Sequence, residues 1–363
     1  MFSEVRKMKN ALVIFGGVSS EHSVSLVSAS NVIANIPKEK YNIYMLGITS
    51  DGEWYLFEGS PELLPNEKWL ESGKITKAVI SPDRADGGII VFRADGAERI
   101  KIDVCFPVLH GANGEDGTVQ GLLELSGIPY VGCDTLSSAC CMDKAVTNTL
   151  ADCAGIPQAK WMSVIKEDYK ENPEEFILKA EEYLGYPVFV KPANAGSSVG
   201  ISKASDRESL KTAMSVAFKE DRKAVLEQFV DGYEVECAVL GNRGARAMSV
   251  GQIKPANEFY DFQAKYENAS SELYIPAHIT DEQISEVQRL ALKAYKVLGC
   301  SGLSRVDFFV TKDAGKVMLN EINTLPGFTS ISMYPKLCEH SGIGYSELID
   351  KLFELATERK NGN

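Results

Sequence analysis

The chain has 363 residues, of which 44% are hydrophobic and 24% charged, and its formal net charge is -12. That length exceeds what one hydrophobic core normally sustains, so two or three packed domains of ordinary globular composition are expected. The acidic balance disfavours a binder of nucleic-acid backbones, whose affinity comes from clustered Lys and Arg, but leaves room for a small anion in a local basic pocket.

The N-terminal run ALVIF reads as a first strand and lacks the longer apolar region of a signal peptide, and nothing approaches a membrane span. A helix is expected from about Glu21, with Val24, Val27 and Ile36 on one stripe, followed by the strands YNIYMLGI and IDVCFPVL. SSACCMDKAVTNTLADCAGI reads as one helix ended by Gly155 and Pro157, with a domain boundary near Lys144. YPVFVKP is a strand. In DRESLKTAMSVAFKED, residues Leu210, Ala213, Met214, Ala217 and Phe218 fall on one helical face. The strands AVLEQFV, YEVECAVLG and ARAMSVGQI follow, then a polar loop over 254–275, a helix DEQISEVQRLALKAYKVLG and two last strands; the tail ATERKNGN is expected to fray. The eight cysteines contain no C-x-x-C pair and lie mostly in apolar text, as reduced thiols of a cytosolic protein do. The four histidines (His22, His110, His278, His340) lack zinc-ligand spacing.

The last two strands carry the clearest chemistry. LSRVDFFV and KVMLNEIN flank the polar loop TKDAG, which reads as a hairpin turn. With the tip near Ala314, Asp307 falls opposite Glu321 and Arg305 opposite Asn323, all on one face, while Val306, Phe308, Val310, Met318 and Ile322 form the core face. Asp307, Glu321 and Asn323 then offer the oxygen ligands that Mg²⁺ takes alongside phosphate oxygens, and Arg305 suits a developing negative charge. The alternative is a surface ion-pair ladder. Against it, Asn323 runs straight into TLPGFTSIS, a loop rich in backbone amides and hydroxyls. Two further loops, FGGVSSEHSVS and HGANGEDGTVQG, leave strands through glycines and open helices, where backbone N–H groups favour anions. VKPANAGSSVG has phosphate-loop chemistry without the G-x-x-x-x-G-K-[ST] pattern.

Taken together, VKPANAGSSVG, DFQAKY, LSRVDFF and LNEINTLPGFTS, with FGGVSSEHSVS and LHGANGEDGTVQG upstream, closely resemble the D-alanine-D-alanine ligases of the ATP-grasp superfamily. The motifs run in family order from about residue 11 to 350. The resemblance implies a three-domain ATP-grasp architecture of α/β and α+β type: an N-terminal Rossmann-like open sheet over 1–143, a central lid domain over 144–226, and a catalytic domain over 227–363 with an omega loop at 254–275. It implies ATP and two Mg²⁺ ions, with Mn²⁺ as substitute, D-alanine as substrate, a cytoplasmic bacterial setting and a homodimer, with no nucleic-acid or membrane partner.

Residue by residue, the resemblance assigns Lys144 and Lys191 to the ATP phosphates, Ser198 to the flap over them, and Glu227, Gln228, Phe229, Val230 and Glu234 to adenine and ribose. Lys265 is implied to grip the transferred phosphoryl group, Asp307, Glu321 and Asn323 to hold the metal ions, and Arg305 with the Gly327 N–H to form the oxyanion site. Glu21 is implied to bind the first substrate's ammonium, linked through Ser197 and Tyr266 to the lid, with His110, Ser332 and Met333 at the second substrate. The chain departs from the common pattern at Ser23 and Ile331, where many members carry Glu and His. Its text lies near that of D-alanine-D-serine ligases of vancomycin resistance. Yet Met333 stands where those tend to carry Arg, so D-alanine is expected as second substrate. A more distant alternative is an ATP-grasp kinase that phosphorylates a small carboxylate and stops; it has no use for His110, Ser332 and the lid.

Overall fold

The computed structural model describes residues 8–197, 199–254 and 272–362 and resolves them into three sheets. In the first, β1 (Lys9–Gly16) pairs in parallel with β2 (Tyr41–Ile48) and β7 (Val104–Pro107). An antiparallel run continues outward from β2 through β3 (Trp54–Phe57), β4 (Ile75–Ile80), β5 (Gly88–Arg93) and β6 (Gly96–Lys101). Two of these carry little signal: β3 has four residues, and β6 exposes nearly every side chain, so no buried alternation marks it. Helix α1 (His22–Asn35) buries Val24, Leu26, Ala29, Val32 and Ile33; Val27 is only half-buried, and Ile36 is buried just past the helix end.

The text after the first sheet forms α2 (Thr118–Ser126), α3 (Thr135–Met142) and α4 (Lys144–Cys153). The single helix expected over 137–155 is thus two. Asp143 breaks it, because its side chain accepts the N–H groups of Ala145 and Val146 and so caps the start of α4, which turns Lys144 into a first-turn residue. The second sheet has the antiparallel order β10 (Ser202–Ala204), β9 (Val188–Pro192), β11 (Lys223–Gln228), β8 (Trp161–Ile165). Helices α5 (Lys166–Glu171), α6 (Pro173–Leu184) and α7 (Arg207–Glu220) accompany it, and α7 buries the five residues expected of it.

The third sheet runs β14 (Glu272–Tyr274), β13 (Arg246–Lys254), β12 (Gly232–Leu240), β15 (Leu303–Thr311), β16 (Val317–Asn323). Residues 272–274 of the expected loop are therefore a strand, and 255–271 lie outside the described residues. Helix α8 (Asp281–Val297), started by a Thr280/Gln283 capping box, covers one face. Helices α9 (Met333–His340) and α10 (Tyr345–Gly362) lie between the third sheet and the first.

Aromatic rings tie these layers together. Phe106 of β7 meets Phe328 at 5.3 Å and Phe353 of α10 at 6.3 Å, edge to face, and all three are fully buried. Burying each such ring is worth roughly 1.5–3 kcal/mol. The tail does not fray at 356: α10 continues to Gly362, because Arg359 donates to the carbonyls of Gly132 and Tyr130 and stacks over the Tyr130 ring at 4.2 Å. The loops that follow β1, β7, β9 and β16 thereby face a common cleft.

Candidate active site

The cleft has a volume of about 470 Å³ and is bounded on one side by β12, β15 and β16. The hairpin pairs as its alternation predicts, Asp307 opposite Glu321 and Arg305 opposite Asn323. A bulge follows, with Phe308 facing Leu319, so that Asn320 is the extra residue. Beyond it the parity inverts. Val317 and Leu319 enter the core, and Met318, expected there, is only half-buried.

On the cleft side, Arg305 donates through Nε and Nη2 to both Asp307 carboxylate oxygens, at 2.8 and 2.7 Å, and Asn323 Nδ2 donates to Asp307 Oδ2 at 3.0 Å. Burial opposes the Arg305 charge, but Asp307 and Glu236 outweigh it and hold the guanidinium pKa above its usual value. Asp307 is 1% exposed and lies beneath the surface, while Arg305, Glu321 and Asn323 line the cleft. The surface ion-pair ladder is excluded by this depth.

At the opposite wall stands the buried Glu21, just before α1. Ser197, at a φ of 47°, donates its hydroxyl to Glu21 Oε1. Two glycines make room for that carboxylate: a Cβ on Gly111 or Gly196 would come within 2.5 or 2.4 Å of Glu21 Oε2. Beside it, Glu115 accepts the Gly111 N–H at 2.8 Å, and burial followed by the nearby Glu21 charge pushes its carboxyl up to about 8. His110 is buried with both ring nitrogens engaged, Nδ1 with the Leu325 carbonyl at 3.2 Å and Nε2 with the Ser28 hydroxyl at 3.0 Å, and its burial lowers the imidazole pKa.

Lys144 reaches the same cleft and donates to the Ala195 carbonyl at 2.7 Å, which ties α4 to the glycine-serine loop. Gly327, Ser332 and Met333 form a further part of the lining. Ser332 Oγ accepts the Thr329 N–H at 2.9 Å, and the buried Met333 thioether lies against Gly251, where a Cβ would come within 2.7 Å of the sulfur.

The remaining expected residues lie off the cleft lining. Lys191 pairs with Glu227 at 2.6 Å, and Asn148 donates to the other Glu227 oxygen at 3.2 Å, so Glu227 joins β9, β11 and α4. Burial pulls the Lys191 pKa down, but Glu227 more than reverses that and keeps the lysine charged. Gln228 donates to the Leu184 carbonyl, the exposed Phe229 neighbours Phe189 with ring centres 6.1 Å apart, Val230 is half-buried, and Glu234 sits on β12 opposite Ile253 and Phe309. Ser198, Lys265 and Tyr266 lie outside the described residues. Sequence reasoning missed Glu115, Glu236 and Asn148. Glu236 had a signal, a charged residue between Val235 and Cys237 in otherwise apolar strand text, and Glu115 lies within the quoted loop HGANGEDGTVQG without being singled out; Asn148 had none beyond its type.

An open sheet with a parallel centre, a four-stranded antiparallel sheet bearing the lysine strand, and a five-stranded sheet bearing the Arg/Asp/Glu/Asn patch constitute the ATP-grasp architecture. The family model described as D-ala D-ala ligase N-terminus matches residues 10–133, and that described as D-ala D-ala ligase C-terminus matches 150–354. A D-alanine–D-alanine ligase of Caldicellulosiruptor bescii is 54% identical over 97% of this chain and 96% of its own length. One of Acetivibrio thermocellus is 50% identical over 98% and 97%. Among solved structures, the VanG D-Ala:D-Ser ligase of Enterococcus faecalis superposes with a TM-score of 0.88 at 44% identity, over 96% of this chain and 100% of that one. The D-alanine–D-alanine ligase of Coxiella burnetii gives 0.85 at 34% identity, over 98% and 97%. The chain belongs to the D-alanine-D-alanine ligase family.

Proposed function

We propose that the protein joins two D-alanine molecules with ATP, through a D-alanyl phosphate and with release of ADP, for peptidoglycan precursor synthesis in the bacterial cytoplasm. The observation that carries this reading is the full-length similarity to D-alanine–D-alanine ligases, 54% over 97% of the chain, combined with a cleft that sets Glu21 at one wall and Arg305 at the other. The chemistry sets the demands. A carboxylate is a poor electrophile, so it is first phosphorylated; the second amine then attacks the acyl phosphate through a tetrahedral oxyanion.

In this reading the nucleotide lies between units 144–226 and 227–363, with 1–143 completing the amino-acid site. Lys144 and Lys191 draw the phosphates, the Ser197–Ser198 loop closes over them, and Glu227 to Val230 with Glu234 hold the nucleoside. Glu21 takes the first ammonium. Arg305 and the Gly327 N–H face the developing oxyanion, where an aimed donor is worth about 10²–10³ in rate. Lys265 and Tyr266 belong to the lid that excludes water from a hydrolysable intermediate. His110, fixed at both nitrogens, walls the second site, whose carboxylate is held by Ser332. A homodimer is part of the proposal.

The residues present fit Mg²⁺. Asp307 and Glu321 stand opposite one another on the hairpin with Asn323 beside Asp307, and together they offer the carboxylate and amide oxygens that a hard divalent cation takes. Among the described residues no group of three or more His, Cys, Asp and Glu could hold a metal, so Asp307, Glu321 and Asn323 would need phosphate and water oxygens to complete the shell, as Mg²⁺ sites usually do. When bound, the metal neutralises charge on the phosphates during transfer.

D-Alanine is favoured over D-serine as second substrate because Met333 gives that wall an apolar side chain with no partner for a hydroxyl. Burying an unpaired hydroxyl costs roughly 1–3 kcal/mol, so preference of about ten- to a hundredfold is expected. With ATP, Mg²⁺ and equal D-alanine and D-serine, mass analysis should find mostly D-alanyl-D-alanine. Mostly D-alanyl-D-serine would overturn the second-substrate assignment, and phosphate release without any dipeptide would overturn the ligase reading.

A further inference from the structure

Two carboxylates stand beside Arg305. Asp307, two residues along the same strand, takes its Nε–Nη2 edge, and Glu236 of the neighbouring strand stands 3.1 Å from Nε. Glu236 lies opposite Asp307 in the β12–β15 ladder, and Ala238 lies opposite Arg305. Diagonal neighbours of this kind meet when one side chain is long. The methyl of Ala238 leaves the guanidinium space to lean toward Glu236, a carboxylate only 2% exposed that also lines the cleft. Among the described residues Arg305 Nη1 makes no hydrogen bond; Asp307 takes both hydrogen bonds of the Nε–Nη2 edge, and Glu236 Oε2 pairs with the guanidinium by charge, without a hydrogen bond, on the side away from the end that is left to a ligand.

We infer that Glu236 is a positioning residue, which biases the orientation of Arg305 so that its Nη1 end is presented to the oxyanion of the ligation step. The inference rests on the proposed oxyanion role of Arg305. A planar guanidinium tethered by Asp307 alone can pivot about that one bidentate contact; the attraction of a second carboxylate on an adjacent strand limits the pivot. A sheet strand is a rigid mount for a group that must aim another one.

Glu236→Gln, which keeps the shape and removes the charge, is expected to lower kcat about thirtyfold while KM for ATP and D-alanine changes less than about threefold. It should also raise the ATP hydrolysed per dipeptide, since an acyl phosphate formed but slowly captured is lost to water. On an Arg305→Lys background the same change should cost less than about threefold, because there is no guanidinium left to orient. Glu236→Asp, charged but shorter, should retain more activity than the Gln variant and serves as the test should the latter not fold; a merely structural role predicts the reverse order, since the shorter side chain leaves a gap. Equal costs of Glu236→Gln on both backgrounds, or activity within threefold of wild type, would overturn the inference. So would a large rise in the Mg²⁺ concentration for half-activation, which would make Glu236 a metal ligand. Near-normal activity of Arg305→Lys alone would instead remove the Arg305 role beneath it.

Discussion

Glu321→Gln is expected to lower kcat by at least about a hundredfold, equivalent to ~2.7 kcal/mol of lost charge stabilisation, while the melting temperature stays within a few degrees of wild type. The side chain lines the cleft on β16 opposite Asp307, and the substitution removes one negative charge without changing volume. The fold should tolerate it because the half-buried Glu321 caps no helix and its strand remains paired. The corresponding loss should appear in phosphoryl transfer, followed as ADP formed in a single turnover, and not in D-alanine binding. A variant with more than about a tenth of wild-type kcat would move the metal and phosphate site away from this hairpin.

Arg305→Lys is the second large effect expected, a loss of about 10²–10³ in kcat. The lysine keeps the positive charge but not the planar fork. In the wild-type arrangement two nitrogens are spent on Asp307 at 2.8 and 2.7 Å while a third remains for substrate. One ammonium cannot hold Asp307 in that bidentate manner and also reach the cleft. Because the buried Asp307 and Glu236 keep a counter-charge, stability should fall far less than on removal of the cation, which for a buried pair costs roughly 3–5 kcal/mol. Rapid-quench separation of ADP formation from dipeptide formation checks the assignment: the second step should slow more than the first. Equal slowing of both would make Arg305 a phosphate ligand and not the oxyanion donor.

The part of the site that sequence disclosed best is the hairpin. Alternation of period two and a polar turn were enough to set Arg305, Asp307, Glu321 and Asn323 on one face in the observed register. The bulge at Asn320 was not legible, because an extra residue leaves the apolar pattern of KVMLNEIN readable in either parity; only packing decided that Leu319 and not Met318 would enter the core. The break at Asp143 was hidden for a related reason: the apolar pattern runs through it, and its role depends on two free N–H groups that exist only once α4 starts there. Among the outer strands of the first sheet, β3 is only four residues long and β6 is polar and exposed, so their pairing comes from neighbours, not from their own periodicity.

Long-range arrangement was least accessible. No spacing rule brings Ser197 to Glu21, which depends on how the glycine-serine loop meets the first sheet, or Glu236 to Arg305, which depends on β12 and β15 being neighbours in the third sheet. The resemblance named Glu21 and Ser197 but was silent on Glu236 and Glu115. The lysine of YPVFVKP shows the other limit. Its type suggested phosphate binding, and in the folded chain its nearest charged partner is Glu227, a pairing that the parity of two antiparallel strands could have suggested once β9 and β11 were known to be neighbours.

Activation of the first D-alanine as an acyl phosphate dictates where its two carboxylate oxygens end up. Incubation with ATP, Mg²⁺ and D-alanine carrying ¹⁸O in both carboxylate oxygens tests it most directly. When the second amine displaces phosphate from the acyl carbon, one carboxylate oxygen leaves with the phosphorus and the other remains in the new amide. Mass analysis should therefore find one ¹⁸O in each inorganic phosphate released, one ¹⁸O in the peptide carbonyl, and unlabelled ADP. Label in AMP, or inorganic phosphate without ¹⁸O alongside normal dipeptide yield, would contradict the account.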